Sequence, residues 1–276
     1  AINTGDNNTV VGYQAGDAIT TGSGNVVIGS GALSAEDTGS NHVAIGKDAL
    51  NALNVGGNSN VAIGLNALKV NVAGAAQNTS GTATDTNNTA VGNSAGTAVT
   101  SGTLNTFVGS NTADALTEGS DNVIIGRSAL TTDTKGNKTV AVGSSALENQ
   151  NFSTSTTSFN TAVGFEAGKA VTTGVKNTLM GANAGDALTD ADENVAVGHL
   201  SLTTDTRGSK STAIGLSALH SQNFTTATDS HNTAVGHNAG YNVTTGINNT
   251  LVGSGAGDSL TSGGYSTAIG KGALST

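Results

Sequence analysis

Proline, cysteine and tryptophan are absent from the 276 residues, methionine occurs once, and aromatic residues make up only 3%. Without cysteine there is no disulfide framework and no Cys-based zinc site. Charged residues, at 11%, fall well under ordinary globular usage. The ten Lys and Arg are scattered singly and the net charge is −9, so no basic stripe exists to displace counterions from nucleic acid or an anionic membrane. No apolar run approaches the roughly 20 residues that a helical bilayer span needs, so no direct membrane insertion is expected. No charged-then-apolar leader follows Ala1, and any targeting signal is expected outside this stretch. A conventional core would need more large side chains than these. Yet thinly spread charge and apolar residues on a regular schedule do not read as disorder either.

What the sequence does have is glycine, 40 in all, and a repeat. NTAVGNSAG (88–96), NTAVGFEAG (160–168) and NTAVGHNAG (232–240) recur at equal spacing. Aligning on the glycine that closes each such phrase gives Gly12, Gly29, Gly46, Gly64, Gly92, Gly109, Gly126, Gly143, Gly164, Gly181, Gly198, Gly215, Gly236, Gly253 and Gly270. Most intervals are 17, with longer ones of 28, 21 and 21 at every fourth step. The unit is therefore a 17-residue coil, and every fourth coil carries an insertion. The chain reads as one solenoid domain over 1–276, with superrepeats at about 1–84, 85–156, 157–228 and an incomplete 229–276.

Each column of the alignment has its own chemistry. The residue before the anchor glycine is Val or Ile except at Met180, the one three before it is Val or Thr, and the one between them is always apolar, most often Ala. A short β-branched run closed by Gly is a strand signal. The obligatory Gly implies positive φ or no room for a Cβ. Four before the anchor stands Asn in eleven coils, replaced by His42, Thr139, Ser211 and Ser266, which suits a stacked amide ladder at a turn. Ala three beyond the anchor fits a crowded edge. Coils with A-G there place an aliphatic three residues on (Ile19, Val99, Val171), whereas coils with A-L place Leu at once (Leu33, Leu50, Leu147), as if one interior slot were filled by two routes. The fold class that follows is all-β, a parallel β-solenoid of about fifteen 17-residue coils with a four-coil superrepeat. At about 4.8 Å per strand it would extend roughly 70 Å.

Alternate strand residues point to opposite faces. Both faces are apolar here, so one fills the coil and the other forms a strip longer than a soluble monomer normally exposes. Identical chains packed about a rotation axis would cover it. If the covered seam is the face of Ala162, Ala196 and Ala234, Asp at those positions should abolish assembly.

The N-T/V-A-V/I-G phrase followed by Ala, seen as NVAIG (60–64) and STAIG (211–215, 266–270), resembles the head repeat of YadA-type trimeric autotransporter adhesins. It is also similar to repeats of phage tail fibres and predatory-bacterial fibre proteins. The resemblance spans all fifteen coils. It implies a left-handed β-roll packed as a homotrimer, outside the cell or virion, acting as a rigid adhesive or spacer segment. A cell-surface glycan or outer-membrane receptor would be its other partner. Neither end looks like a solenoid cap, so the stretch is expected to be a window on a longer fibre chain.

Recognition is expected in the insertions, at 69–87, 148–160 and 220–232, because loops on a rigid scaffold commonly carry it. Phe152, Phe159 and Phe224 lie there with Gln150, Gln222 and His231, residues able to stack on and hydrogen-bond a sugar. The competing reading is that the Q-N-F phrase tucks its Phe against the solenoid. No catalytic, cofactor or metal site is expected: the five His occupy four different coil positions, and no Lys-Ser/Thr follows the glycine-rich phrases. D-T-K-G-N-K (133–138) and D-T-R-G-S-K (205–210) read as solvated turns. An ice-binding solenoid is the alternative function, from TT pairs at 20–21, 172–173 and 244–245. Against it, strand Thr alternates with Val, as in a shape-matched buried slot, and the TT pairs give way to TS, TE and TD elsewhere.

Overall fold

A computed structural model describes residues 4–35, 38–52, 58–69 and 86–275. Among these there is no helix; the chain is all-β, a parallel β-solenoid built on the 17-residue repeat. The insertion at 69–87 falls almost wholly outside the described residues. Two compact units are formed, Ala1–Lys138 with Ser153–Thr156, and Thr139–Phe152 with Thr157–Thr276.

In the first unit seven three-residue strands stack in chain order, from Thr9–Val11 to Val123–Ile125. In the second, eight do so, from Val140–Val142 to Thr267–Ile269. Their pairings are parallel and in register with the repeat, as in Thr9↔Val26 and Thr161↔Thr178. The longer intervals leave this register intact: Val61 pairs Thr89, and Thr212 pairs Thr233. The added residues do not slip the sheet, so every strand column keeps its face.

The faces sort differently from the sequence expectation. The middle strand residue points inward: Ala162, Ala196 and Ala234 are 0% exposed, as are Phe107, Ile124 and Leu179 in other coils. Ala162, Ala196 and Ala234 therefore line the coil interior and form no seam. Outward go the residues one and three before the glycine, including Ile28, Val108, Val123 and Met180. Strand Thr, expected in a buried slot, shares this outer face and is half-buried or exposed. The physical reason is width. A thin coil has room for Ala or one large residue on its inner strand face, with the opposing wall supplying Leu.

That wall is built from left-handed corners. Besides the anchor glycine, each coil turns at the residues five before, two after and four after it. Lys176 (φ 59), Asn183 (φ 54) and Leu147 (φ 50) are examples. A left-handed non-glycine residue costs about 1–2 kcal/mol. At Leu147 the turn drives the side chain fully inside, and burying a Leu returns about 2 kcal/mol. Where this corner is Gly168 (φ 60), an added Cβ would stand 2.6 Å from Leu179 Cδ1 and 2.9 Å from Leu147 Cδ2. Val171 then fills the space from three residues on, 0% exposed. The two routes do converge on one slot. At the anchor itself no alternative to glycine exists. Gly181 sits at φ 139, and a Cβ would meet the carbonyl of Gly198 at 2.6 Å.

Candidate functional site

Between the coils runs the amide ladder. Asn177 donates its backbone N–H to Asn160 Oδ1 at 2.9 Å and its Nδ2 to the Ala191 carbonyl at 2.8 Å. Asn194 repeats both bonds one coil on, to Asn177 Oδ1 and the Gly208 carbonyl, each at 2.9 Å. These side chains are fully buried, so each satisfied amide avoids the roughly 1–3 kcal/mol cost of an unpaired polar group.

The ladder meets Ser211 and Thr139, which have no amide, in the coils that carry the described insertions. There the insertion supplies one. Gln222 donates Nε2 to Ser211 Oγ at 2.8 Å and accepts Asn232 Nδ2 on Oε1 at 2.8 Å. Gln150 does the same between Thr139 Oγ1 (3.2 Å) and Asn160 Nδ2 (2.8 Å). Both glutamines are 0% exposed, and Phe152 and Phe224 are 5% and 7% exposed. Gln150, Gln222, Phe152 and Phe224, expected as receptor contacts, are thus interior parts, while Asn151 and Asn223 between them stay exposed. Phe159 and His231 are the two expected contacts that stand exposed, in left-handed corners at φ 52 and φ 49. Exposed with them are Ser153, Thr154 and Ser155 of one insertion and Thr225 and Thr226 of the other.

Asp205, expected in a solvated turn, is also 0% exposed. Its Oδ1 accepts the N–H of Gly208 and of Phe224, each at 3.0 Å, and its Oδ2 accepts Gln222 Nε2 at 2.5 Å. Phe224 lies over the glycine: a Cβ on Gly208 would come within 2.8 Å of ring atom Cδ2. Asp133 is likewise buried, accepting the N–H of Lys135 and Gly136. The D-T-x-G phrase at Asp205 is therefore the socket that an insertion plugs into.

On the outside, Lys169 donates to Glu166 Oε1 at 2.8 Å and lies 3.7 Å from Glu148. The hydrogen bond holds the Glu166 carboxyl below and the Lys169 ammonium above their ordinary values. Lys176 depresses Glu193 in the same way, and Lys210 depresses Asp229. Burial pushes Asp114 up. His220 and Tyr241, not singled out in the sequence, stack with ring centroids 4.6 Å apart. The Thr172 and Thr244 hydroxyls of the TT pairs donate to Thr189 and Thr261 carbonyls one coil on, each at 3.2 Å. Among the described residues no three His, Cys, Asp or Glu converge as metal ligands, and no helix is long and apolar enough to cross a membrane.

In each unit the exposed large apolar residues keep to a few columns of the repeat. Of the seventeen large apolar side chains exposed among the described residues, all but Leu274 stand five, three or one before the anchor glycine or one after it. Tyr13, Leu65, Phe165 and Leu216 lie just after the glycine, and Leu104, Phe159 and Tyr265 five before it. They flank the outward Val, Ile and Met of the strands. No known protein family, curated protein or solved structure matches the chain.

Proposed function

We propose that the chain is a structural and adhesive segment of an extracellular fibre in which three identical chains pack through their outward strand faces. The observation that carries this reading is the confinement of exposed large apolar residues to that one face of the coils. Scattered apolar residues are normal on a surface, but an apolar strip marks an interaction site. A strip repeating coil by coil is best complemented by another strip of the same repeat, which a copy of the chain supplies. Assembly would bury the strip, and the parallel ladders would give the fibre its stiffness. The exposed Ser and Thr of the two insertions are left to face a receptor or glycan, whereas Phe159 and His231 stand at the edge of the strip, in the column five before the glycine.

Light scattering on the purified chain tests the assembly. The expected mass is three times the 26.7 kDa of one chain. Asp at Val163, Met180 and Ile214 should release folded single chains, whereas unchanged mass in that variant would refute the seam. Retention on immobilised surface glycans, lost on replacing the exposed loop residues, tests the adhesive role; no retention on any would leave a spacer.

A further inference from the structure

Asn-x-Ser/Thr, with any residue but proline at x, is the acceptor pattern for N-linked sugar. It occurs eight times in the chain, once (Asn78) outside the described residues. In a sequence this rich in Ser and Thr the pattern alone carries little, and the fold has to sort the rest. An acceptor needs an amide nitrogen that the fold does not use. It also needs open space around that nitrogen and around the hydroxyl two residues on, because the added group is bulky and hydrophilic.

Most of the described asparagines in this pattern lack one or the other. Asn137 Nδ2 donates to the Lys135 and Thr156 carbonyls at 3.1 and 3.2 Å, and Thr139 is buried. Asn242 Nδ2 donates to the Asp258 carbonyl at 2.6 Å, and its Thr244 hydroxyl is engaged by the next coil. Asn7, Asn87 and Asn248 stand in left-handed corners, each followed by a ladder asparagine and then by the first Thr of a strand. Asn223 and Asn151 differ. Side chains alternate through each insertion: Gln222 in, Asn223 out, Phe224 in, Thr225 out, and likewise Gln150, Asn151, Phe152 and Ser153. The Asn223 N–H donates to the Thr244 carbonyl at 3.0 Å and that of Asn151 to Thr172 at 2.9 Å, so the backbone is held by the next coil. Among the described residues neither Nδ2 donates to a partner, and Asn223 Oδ1 accepts only a long 3.4 Å bond from Thr206. Sugar on either nitrogen would displace water alone.

We propose that Asn223 and Asn151 are acceptor sites for N-linked sugar. The donor is a sugar carried on phosphate, and a transferase supplies the base. The bond from Asn Nδ2 to the anomeric carbon forms as the carbon–oxygen bond to phosphate breaks. The phosphate leaves with that electron pair, and one amide proton passes to the base. Thr225 and Ser153 provide the hydroxyls by which the transferase reads the pattern. Both asparagines stand eight after an anchor glycine, outside the columns of the apolar strip, so the proposal is independent of assembly through that strip.

The test is to secrete the chain from a eukaryotic host that modifies Asn-x-Ser/Thr, isolate the folded protein, and map occupied sites by enzymatic release, which turns each into Asp. Asn223 and Asn151 should be occupied in most folded chains. Asn137 and Asn242, whose modification breaks hydrogen bonds of the fold, should reach about a tenth of that or less. Thr225→Ala, which leaves the asparagine in place, should clear Asn223 alone, and Ser153→Ala should clear Asn151 alone. Asn223→Gln should lose the sugar with circular dichroism unchanged. If no folded chain is secreted, purified chain is given a soluble transferase of the same specificity and a nucleotide sugar, and the same two sites must be preferred. Folded protein bare at both, or as heavily modified at Asn137 and Asn242, would overturn the proposal.

Discussion

Gln222 offers the sharpest test of the plug-and-socket reading. Replacing it with Met keeps the volume and removes the amide. Asp205 Oδ2 loses its donor at 2.5 Å, Ser211 Oγ its donor at 2.8 Å, and Asn232 Nδ2 one of its two acceptors. Asn232 keeps the Gly246 carbonyl at 2.7 Å, so the buried carboxylate dominates. Leaving such a group short of a partner costs about 3 kcal/mol, at the upper end for buried polar groups. At about 1.4 kcal/mol per decade that is roughly a hundredfold in local opening. A repeat protein unfolds in parts, so the local quantity is the useful one. The assay is native-state hydrogen exchange at the Gly208 and Phe224 amides, which Asp205 Oδ1 accepts. Gln222→Met should lower their protection about a hundredfold, and Phe159→Ala, on the surface, should leave it unchanged. A fall of less than about threefold in Gln222→Met would refute the socket.

Gly181→Ala should destabilise strongly, by about 3 kcal/mol or more, because both φ 139 and the nearby Gly198 carbonyl oppose a Cβ; a thermal melt within about 2 °C of wild type would contradict this. Ala162→Asp should give unfolded or insoluble protein by circular dichroism, since it places a charge inside the coil. Leu147→Ala should lose about 2–3 kcal/mol and loosen its own coil first, read by hydrogen exchange. Acidification has a defined sign. The Glu166, Glu193 and Asp229 carboxyls are held low by Lys169, Lys176 and Lys210. Their contribution is present above the ordinary carboxylate range and is lost as pH falls below about 4. Asp114, pushed up, opposes them by favouring the folded state as pH falls. The melting temperature should therefore drop modestly on acidification, and a rise would show that Asp114 outweighs the three pairs.

Much of the fold can be read from the anchor glycines. A residue that must be Gly in every coil, beside an Asn that nearly always is, states both the pitch and the polar ladder. The inner face is harder to read because both strand faces are apolar. The clue is size: the inward middle position is most often Ala, with a single larger residue such as Val27, Phe107 or Ile124 in other coils, whereas the two outward positions hold Val, Ile, Thr or Met. The roles of Gln150 and Gln222 are also written in the sequence. Asn gives way to Thr139 and Ser211 in the same coils whose insertions bring Q-N-F. Asp133 and Asp205 are not legible, because a D-T-x-G turn looks the same wet or dry. What buries Asp205 is an insertion further along the chain that folds back over it.

That coupling constrains how such a chain can grow. Copying a plain coil by unequal crossover adds a rung complete in itself. Copying the Ser211 coil without the insertion leaves Asn232 short of the Gln222 acceptor and Asp205 short of its donor. Copying the insertion without Ser211 inserts a glutamine where an asparagine already fills the gap. Heritable lengthening is therefore freest in whole cassettes that carry the Ser or Thr, the Asp turn and the insertion together, as they stand at Asp133 with Thr139 and at Asp205 with Ser211.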